Sequence, residues 1–256
     1  MVGDTHQRVV ILHHHIFKNA GTSLDYVLKA AFGDRWVDIE SPTGQQRQGQ
    51  QAILDLLSDD PTIRALSTHT VRPPIRRLTH VTVLPVLFVR HPLDRIRSAY
   101  AFERRQSADT DGAKIARERG IKGYIEHFLQ NRHDRRFRNF QSTWFAPLVQ
   151  DGRIEIERAM GAIDQLPFVG VVERFDDSIR LLQHVTRLLG LAPNFSSAVK
   201  NRSPDRNGTL EDRLRLLRRE LGDGLYRQLW ACNMADCVVW AHARAALEDR
   251  LRWLSS

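Results

Sequence analysis

Near its start the chain runs Arg8-Val-Val-Ile-Leu-His13, then a polar stretch to Ala20, then Gly21-Thr-Ser-Leu-Asp-Tyr-Val-Leu-Lys-Ala-Ala-Phe-Gly33. That order constrains the fold more than any other feature. A short β-branched run without polar alternation is the pattern of a strand buried on both faces of a parallel sheet. The segment behind it places Leu24, Val27, Leu28 and Ala31 at helical spacing and ends on a glycine suited to a C-cap. Strand, loop and helix in this order open an α/β fold, whose loop lies where anionic ligands bind.

The alternation continues. Short strands are expected around Ile63 to Ser67, from Val81 to Val89 and from Phe168 to Val172, and helices at Leu93 to Gln106, about 121–131, 155–165 and Asp177 to Leu189. Pro92 suits the first turn of its helix. Residues 34–50 read as a loop followed by a short helix from Gln51 to Leu57, and residues 107–120, polar and aperiodic, as a mobile surface loop. Beyond the loop at 194–208, two helices are expected, Thr209 to Leu221 and Asp223 to Leu251. The pattern predicts an α/β three-layer sandwich around a central parallel sheet, a P-loop-like nucleotide-binding fold. With no internal repeat or linker, 256 residues are expected to form one domain over 1–256, mostly helical from about 209.

Several classes are set aside by composition. There is no run of eighteen apolar residues and no secretory layout before Arg8, so no transmembrane segment is expected and a cytoplasmic location is. Cys232 and Cys237 lie five apart in a helical segment, where their side chains diverge rather than pair. The net charge of +8, from 38 Lys plus Arg against 30 Asp plus Glu, is largely arginine and points to anionic partners. Any single arginine is also readable as part of a solvated helix face.

The loop His15-Ile-Phe-Lys18-Asn19-Ala20-Gly21-Thr22-Ser23 has the parts of a phosphate cradle: small residues, two hydroxyls at a helix start and a mobile cation. A plain Gly-Thr-Ser helix cap would use the same letters. The NTPase frame G-x-x-x-x-G-K-[ST] occurs nowhere, because the lysine here precedes the glycine. A second segment, Leu87-Phe-Val-Arg90-His-Pro92-Leu-Asp-Arg-Ile-Arg97-Ser98, puts an arginine at a strand end and a serine two turns into the following helix. Separate arginine and serine donors fix a phosphate dianion in one orientation.

These two segments resemble the phosphate motifs of the sulfotransferases that use 3′-phosphoadenosine-5′-phosphosulfate (PAPS), specifically the carbohydrate type that includes the heparan sulfate 2-O-sulfotransferase group. The first loop of that family commonly reads His-Ile-Pro-Lys-Thr-Ala-Gly-Thr-Ser, and this chain has Phe17 for proline and Asn19 for threonine. A weaker likeness covers Phe168-Val-Gly-Val-Val-Glu173-Arg174-Phe-Asp-Asp-Ser178, which reads as scaffold. The resemblance implies that Lys18, Asn19, Ala20, Gly21, Thr22 and Ser23 hold the 5′-phosphosulfate, and Arg90 and Ser98 the 3′-phosphate. It implies PAPS as donor, adenosine 3′,5′-bisphosphate as product and no metal.

Sulfuryl transfer needs a cation for the charge developing on the leaving oxygen, for which Lys18 is the candidate, and a base for the acceptor proton. His69, in Ser67-Thr-His69-Thr, resembles the segment supplying that base in the family, although Thr68 stands where the family has glycine. His80 and His91 are lesser candidates, and the run His13-His14-His15 suggests packing and loop roles, since strand side chains alternate in direction. The acceptor is expected to be a hydroxyl, on a carbohydrate or glycoconjugate, with anionic sugars among the candidates. Arg72, Arg76 and Arg77, the aromatic and basic stretch 135–145, and Lys200, Arg202 and Ser203 are weaker candidates for ligand contacts. The rival readings are a P-loop-type nucleotide kinase or other phosphotransferase, a nucleic-acid-binding protein and a catalytically dead nucleotide-binding scaffold. The first lacks its lysine frame, the second any recognised module, which makes nucleic acid an unlikely partner. Intact Lys18, Arg90 and Ser98 speak against the third.

Overall fold

The computed structural model describes residues 7–40, 46–195 and 208–255. The β-branched run becomes β1 (Arg8–His14), and the helix behind it is α1 (Gly21–Phe32). With β2 (Trp36–Ile39), β3 (Ala65–Thr68) and β4 (Val81–Val86) it forms a four-stranded sheet in the order β2-β3-β1-β4. All three pairings are parallel, with Ile11 opposite Ala65 on one side and Leu84 on the other. Two residues, Phe88–Val89, form β5 just past Leu87, and pair in parallel with β6 (Gly170–Val171).

Strand periodicity divides β1 between two cores. Val10 and Leu12 pack with Ile53, Leu57 and Leu66, so α2 (Gln46–Asp59) covers that face. Ile11 enters the larger cluster with Leu24 and Leu28 of α1 and with residues of α6 (Glu155–Gln165), α7 (Phe175–Leu188) and α10 (Met234–Ser255). Helices on both faces of a parallel sheet make the expected α/β fold. A third cluster, including Leu93, Ile96, Tyr124, Phe128, Leu217 and Leu229, joins α3 (Pro92–Arg105), α4 (Asp111–Gln130), α8 (Leu210–Leu221) and α9 (Asp223–Cys232). Among the described residues no helix is long and apolar enough to cross a membrane.

Four local expectations change. Residues 36–39, read as loop, form the edge strand β2 through pairing with β3. The glutamine-rich stretch supplies the first turns of α2, five residues before the expected start, as suits a good helix former. Residues 111–120 are helix rather than mobile loop. Thr110 caps that helix by accepting from the Ala113 N–H at 3.2 Å, and the buried positions of its first half are Gly112, Ala113 and Ala116. Such small residues bury a helix face without a hydropathy signal. Gly120, at φ 62°, kinks the helix there. The last helix is broken at Asn233, whose side-chain amide donates to Phe137 O and Leu229 O at 2.8 and 2.9 Å. Both cysteines are free, as expected.

Candidate active site

β1 delivers its last residues to the carboxyl edge of the sheet, and six residues of loop lead into α1. Lys18 and Ala20 both adopt left-handed backbone, at φ 65° and 62°, while Asn19 between them does not. Left-handed backbone costs a non-glycine residue about 1–2 kcal/mol, and such alternation is the backbone form of an anion-binding concavity, although the Asn19 N–H is itself donated to Ile16 O at 3.0 Å. The first N–H groups of a helix have no intrahelical partner, and Ala20, the N-cap residue, makes no side-chain cap. The residues present therefore fit an anion better than a capped helix start.

Gly21 is required by a neighbour. A β-carbon there would lie 1.8 Å from His15 Cδ2, so only glycine lets the His15 ring lie against the start of α1. The Lys18 ammonium sits 4.5 Å from the centre of the Phe102 ring. Thr22 is exposed and Ser23 half-buried.

Around His15 a polar cluster gathers at the ends of β1 and β3. His13 Nδ1 lies 2.7 Å from Asp25 Oδ1, which also accepts from the Ser67 hydroxyl at 2.6 Å, while His15 Nδ1 faces Asp25 Oδ2 at 3.3 Å. Burial raises the Asp25 pKa, but contacts from His13, His15 and Ser67 outweigh it and hold the carboxyl well below its usual range. Burial keeps His13 low as well, and brings His14, which is bound to Val71 O at 2.8 Å, down to about 4. His69 lies against His15, with ring centres 3.8 Å apart and planes tilted by 38°, is 39% exposed, and lies 3.5 Å from Glu40. Of the histidine candidates, His69 is thus the one that combines solvent access with a place beside the loop. His80 is exposed.

The second segment is assembled differently. Arg90 follows β5; one of its guanidinium nitrogens donates to Lys18 O at 3.1 Å, and two others reach Asp94 Oδ2 at 2.8 Å. Arg213 of α8 holds the same carboxylate from the far side, with Nε on Oδ1 at 2.8 Å and Nη2 on Oδ2 at 3.2 Å. Burial would raise the Asp94 pKa, but the two arginines lower it on balance. Ser98 lines the same cleft as Arg90 and Arg213, a cavity of about 580 Å³ that also collects Arg97, Arg104 and Arg219. The serine and arginine of the second motif are therefore brought together. Beneath them Gln141 is buried, its side chain bonded both to Arg90 and to Asn19.

The amino-acid sequence matches the sulfotransferase family across residues 4–240. An uncharacterized protein of Archaeoglobus fulgidus is 33% identical over 244 residues, covering 91% of this chain and 95% of that protein. The chain belongs to the sulfotransferase family.

In this sulfotransferase the aromatics of the stretch 135–145 serve packing, while Arg135 and Arg136 are exposed. Phe137, Phe140, Trp144 and Phe145 are buried, and Arg136, Arg95 and Arg72 lie over Phe128, Phe140 and Trp144 at 4.8, 4.7 and 4.7 Å. His91 is buried against Trp240, with ring centres 4.9 Å apart, and burial lowers its pKa to about 4. Glu173 is scaffold, as expected, accepting from the His91 N–H at 2.9 Å and from the Trp240 indole at 3.0 Å. Arg76 is paired with Gln51, and Arg77 is exposed. Lys200, Arg202 and Ser203 lie outside the described residues. Three residues of the candidate site were missed from sequence: Asp94, which the second segment contains without a role, Arg213 and Gln141. Arg213 sits in an arginine-rich helix that gave no reason to prefer one cation; Gln141 is uncharged and sits in a stretch read for its arginines.

Proposed function

We propose that this sulfotransferase takes its sulfuryl group from PAPS and passes it to a hydroxyl of a carbohydrate or glycoconjugate. In this reading the loop from Lys18 to Ser23 meets the 5′-phosphosulfate, and Arg90 with Ser98 meets the 3′-phosphate. The observation that carries it is the 3.1 Å bond from the Arg90 guanidinium to Lys18 O. Two motifs 72 positions apart meet at one edge of the sheet, as a donor with phosphate at both ends requires.

The transfer forms a bond between the acceptor oxygen and sulfur and breaks the bond from sulfur to the bridging oxygen. Lys18 supplies positive charge to that departing oxygen, moving off the Phe102 face to do so. His69 accepts the hydroxyl proton from the acceptor side, with His15 and Asp25 packed behind its ring. Arg72, which follows His69 by three residues and is held on Trp144 and by Thr143 Oγ1 at 3.4 Å, offers a cation to an anionic acceptor. No step here needs a metal.

Calorimetric titration with adenosine 3′,5′-bisphosphate, beside ATP with magnesium and adenosine 5′-monophosphate, tests the donor. Preference for the bisphosphate without magnesium, weakened in both Lys18→Ala and Arg90→Ala, is the expected result. Preference for ATP with magnesium would instead make the protein a phosphotransferase. With PAPS as donor, Lys18→Ala should also lower turnover by ~10²–10³-fold.

A further inference from the structure

Gln141 lies between the two ends of the proposed donor site and is bonded to both. Its side chain is fully buried, at 0% exposure. The Arg90 N–H donates to Gln141 Oε1 at 2.8 Å, and Gln141 Nε2 donates back to Arg90 O at 2.8 Å. A peptide N–H only donates and a peptide oxygen only accepts, so these two bonds fix which end of the amide is which. The second lone pair of Oε1 then takes Asn19 Nδ2 at 2.7 Å, and the other Asn19 N–H goes to Phe88 O at 2.7 Å. One amide thus pairs with the chain where β5 ends, as a neighbouring strand would, and holds the phosphate loop with its remaining acceptor.

The turn that carries Gln141 is itself fixed. Its N–H and that of Ser142 donate to the two oxygens of Asp236, both at 2.8 Å, and Asp236 is buried in the first turn of α10. Asn19, for its part, stands where the resembling family commonly has threonine, whose single hydroxyl hydrogen cannot make two N–H bonds.

We propose that Gln141 is a positioning residue that presets the separation of the two phosphate subsites, holding the loop through Asn19 and the strand end through the Arg90 backbone. The proposal rests on the donor reading above. A ligand that engages both subsites gains from their being preset, because no ordering of one against the other remains to be done on binding. A ligand that engages one subsite gains nothing from it. Gln141 touches no part of the donor and acts only through Asn19 and Arg90.

The test is calorimetric binding of adenosine 3′,5′-bisphosphate, adenosine 5′-monophosphate and adenosine 3′-monophosphate to the wild type, Gln141→Leu, Asn19→Thr and the double variant. Expected is a loss of about tenfold in bisphosphate affinity in each single variant, with adenosine 3′-monophosphate within about twofold of wild type in both and adenosine 5′-monophosphate within about twofold in Gln141→Leu. The double variant should lose no more than the worse single one, since both break one connection. Equal weakening of mono- and bisphosphates, additive losses, or unchanged bisphosphate binding would each overturn the proposal. Asn19→Thr leaves the Arg90 and Asp236 bonds of Gln141 in place and carries the test should Gln141→Leu fail to fold. The wild-type arm stands apart: a bisphosphate bound no better than the monophosphates defeats the donor reading itself, whatever the variants do.

Discussion

The two ends of the candidate site are built in opposite ways. The loop end is nine consecutive residues, His15 to Ser23, between one strand and one helix, and its backbone carries the unusual geometry. The arginine end is composite: Arg90 comes from a strand end, Asp94 from α3, Gln141 from a buried turn and Arg213 from α8. A contiguous loop can present backbone donors with little help from elsewhere. A cluster of arginines cannot, because like charges must be spaced by a carboxylate, and here Asp94 does the spacing. Damage at the loop should therefore appear first in turnover, and damage at the arginine end first in folding.

The largest effect is expected at Asp94, which is 2% exposed and faces two arginines. Asp94→Ala leaves both guanidinium groups half-buried without their counter-charge, and breaking such a pair typically costs about 3–5 kcal/mol. Urea denaturation should show that loss. A change below about 1 kcal/mol would mean that water already compensates the arginines and that the two ends are less different than their wiring suggests.

Next comes the pH dependence, where both ends contribute alike. His14 beside the loop and His91 beside Arg90 are neutral in the fold, each with its pKa lowered by burial to about 4. Unfolded histidine titrates near 6.5, so the unfolded chain takes up the proton first. Their stabilisation is complete above that pH, declines as pH falls from about 6.5 to 4, and amounts to about 3 kcal/mol for each residue. Burial raises the pKa of Asp236, which acts in the opposite sense as pH rises above its unfolded value. The carboxylates Asp25 and Asp94, both held low on balance, lose their contribution only as pH falls below about 4. Denaturation measured from pH 7 to 4.5 should show the decline, and His91→Gln should make it shallower. An unchanged slope would show that His91 is not neutral through burial.

How legible these ends were follows from the same difference. The loop, its helix and the central strand could be read directly, because apolar periodicity and a contiguous motif lie in one stretch of chain. Arg90 and Ser98 were legible as a spaced pair on a strand and the helix behind it. Asp94, Gln141 and Arg213 were not, since their importance depends on contacts 51 to 122 positions away. Residues 208–255 contributed no candidate to the site, yet Arg213 and Asp236 anchor it from there. The first half of α4 was missed for another reason: its buried face is glycine and alanine, and a hydropathy pattern cannot report a face without large side chains.

At the loop, Gly21→Ala sharpens the contrast. The new methyl group would occupy the His15 ring position, and that ring can rotate away, so stability should change by less than about 1 kcal/mol. Turnover should nevertheless fall by ~10²-fold, because the displaced imidazole disturbs both the start of α1 and the His69 ring packed against it. A large loss of stability with normal turnover would reverse the assignment of roles between the two ends.

The smallest effect, and the finest probe, is Arg213→Lys. Arginine spans both oxygens of Asp94 in a planar fork, and the lysine ammonium keeps the charge without spanning them. If Asp94 needs only a second positive charge, stability and bisphosphate affinity should both match wild type. If the fork geometry is what aims Arg90 at Lys18 O, stability should drop by about 1 kcal/mol and bisphosphate binding should weaken severalfold, while adenosine 5′-monophosphate binds as before. The second outcome is expected, because Arg90 and Arg213 share Asp94 Oδ2: removing one directional bond lets the carboxylate turn, and Arg90 turns with it.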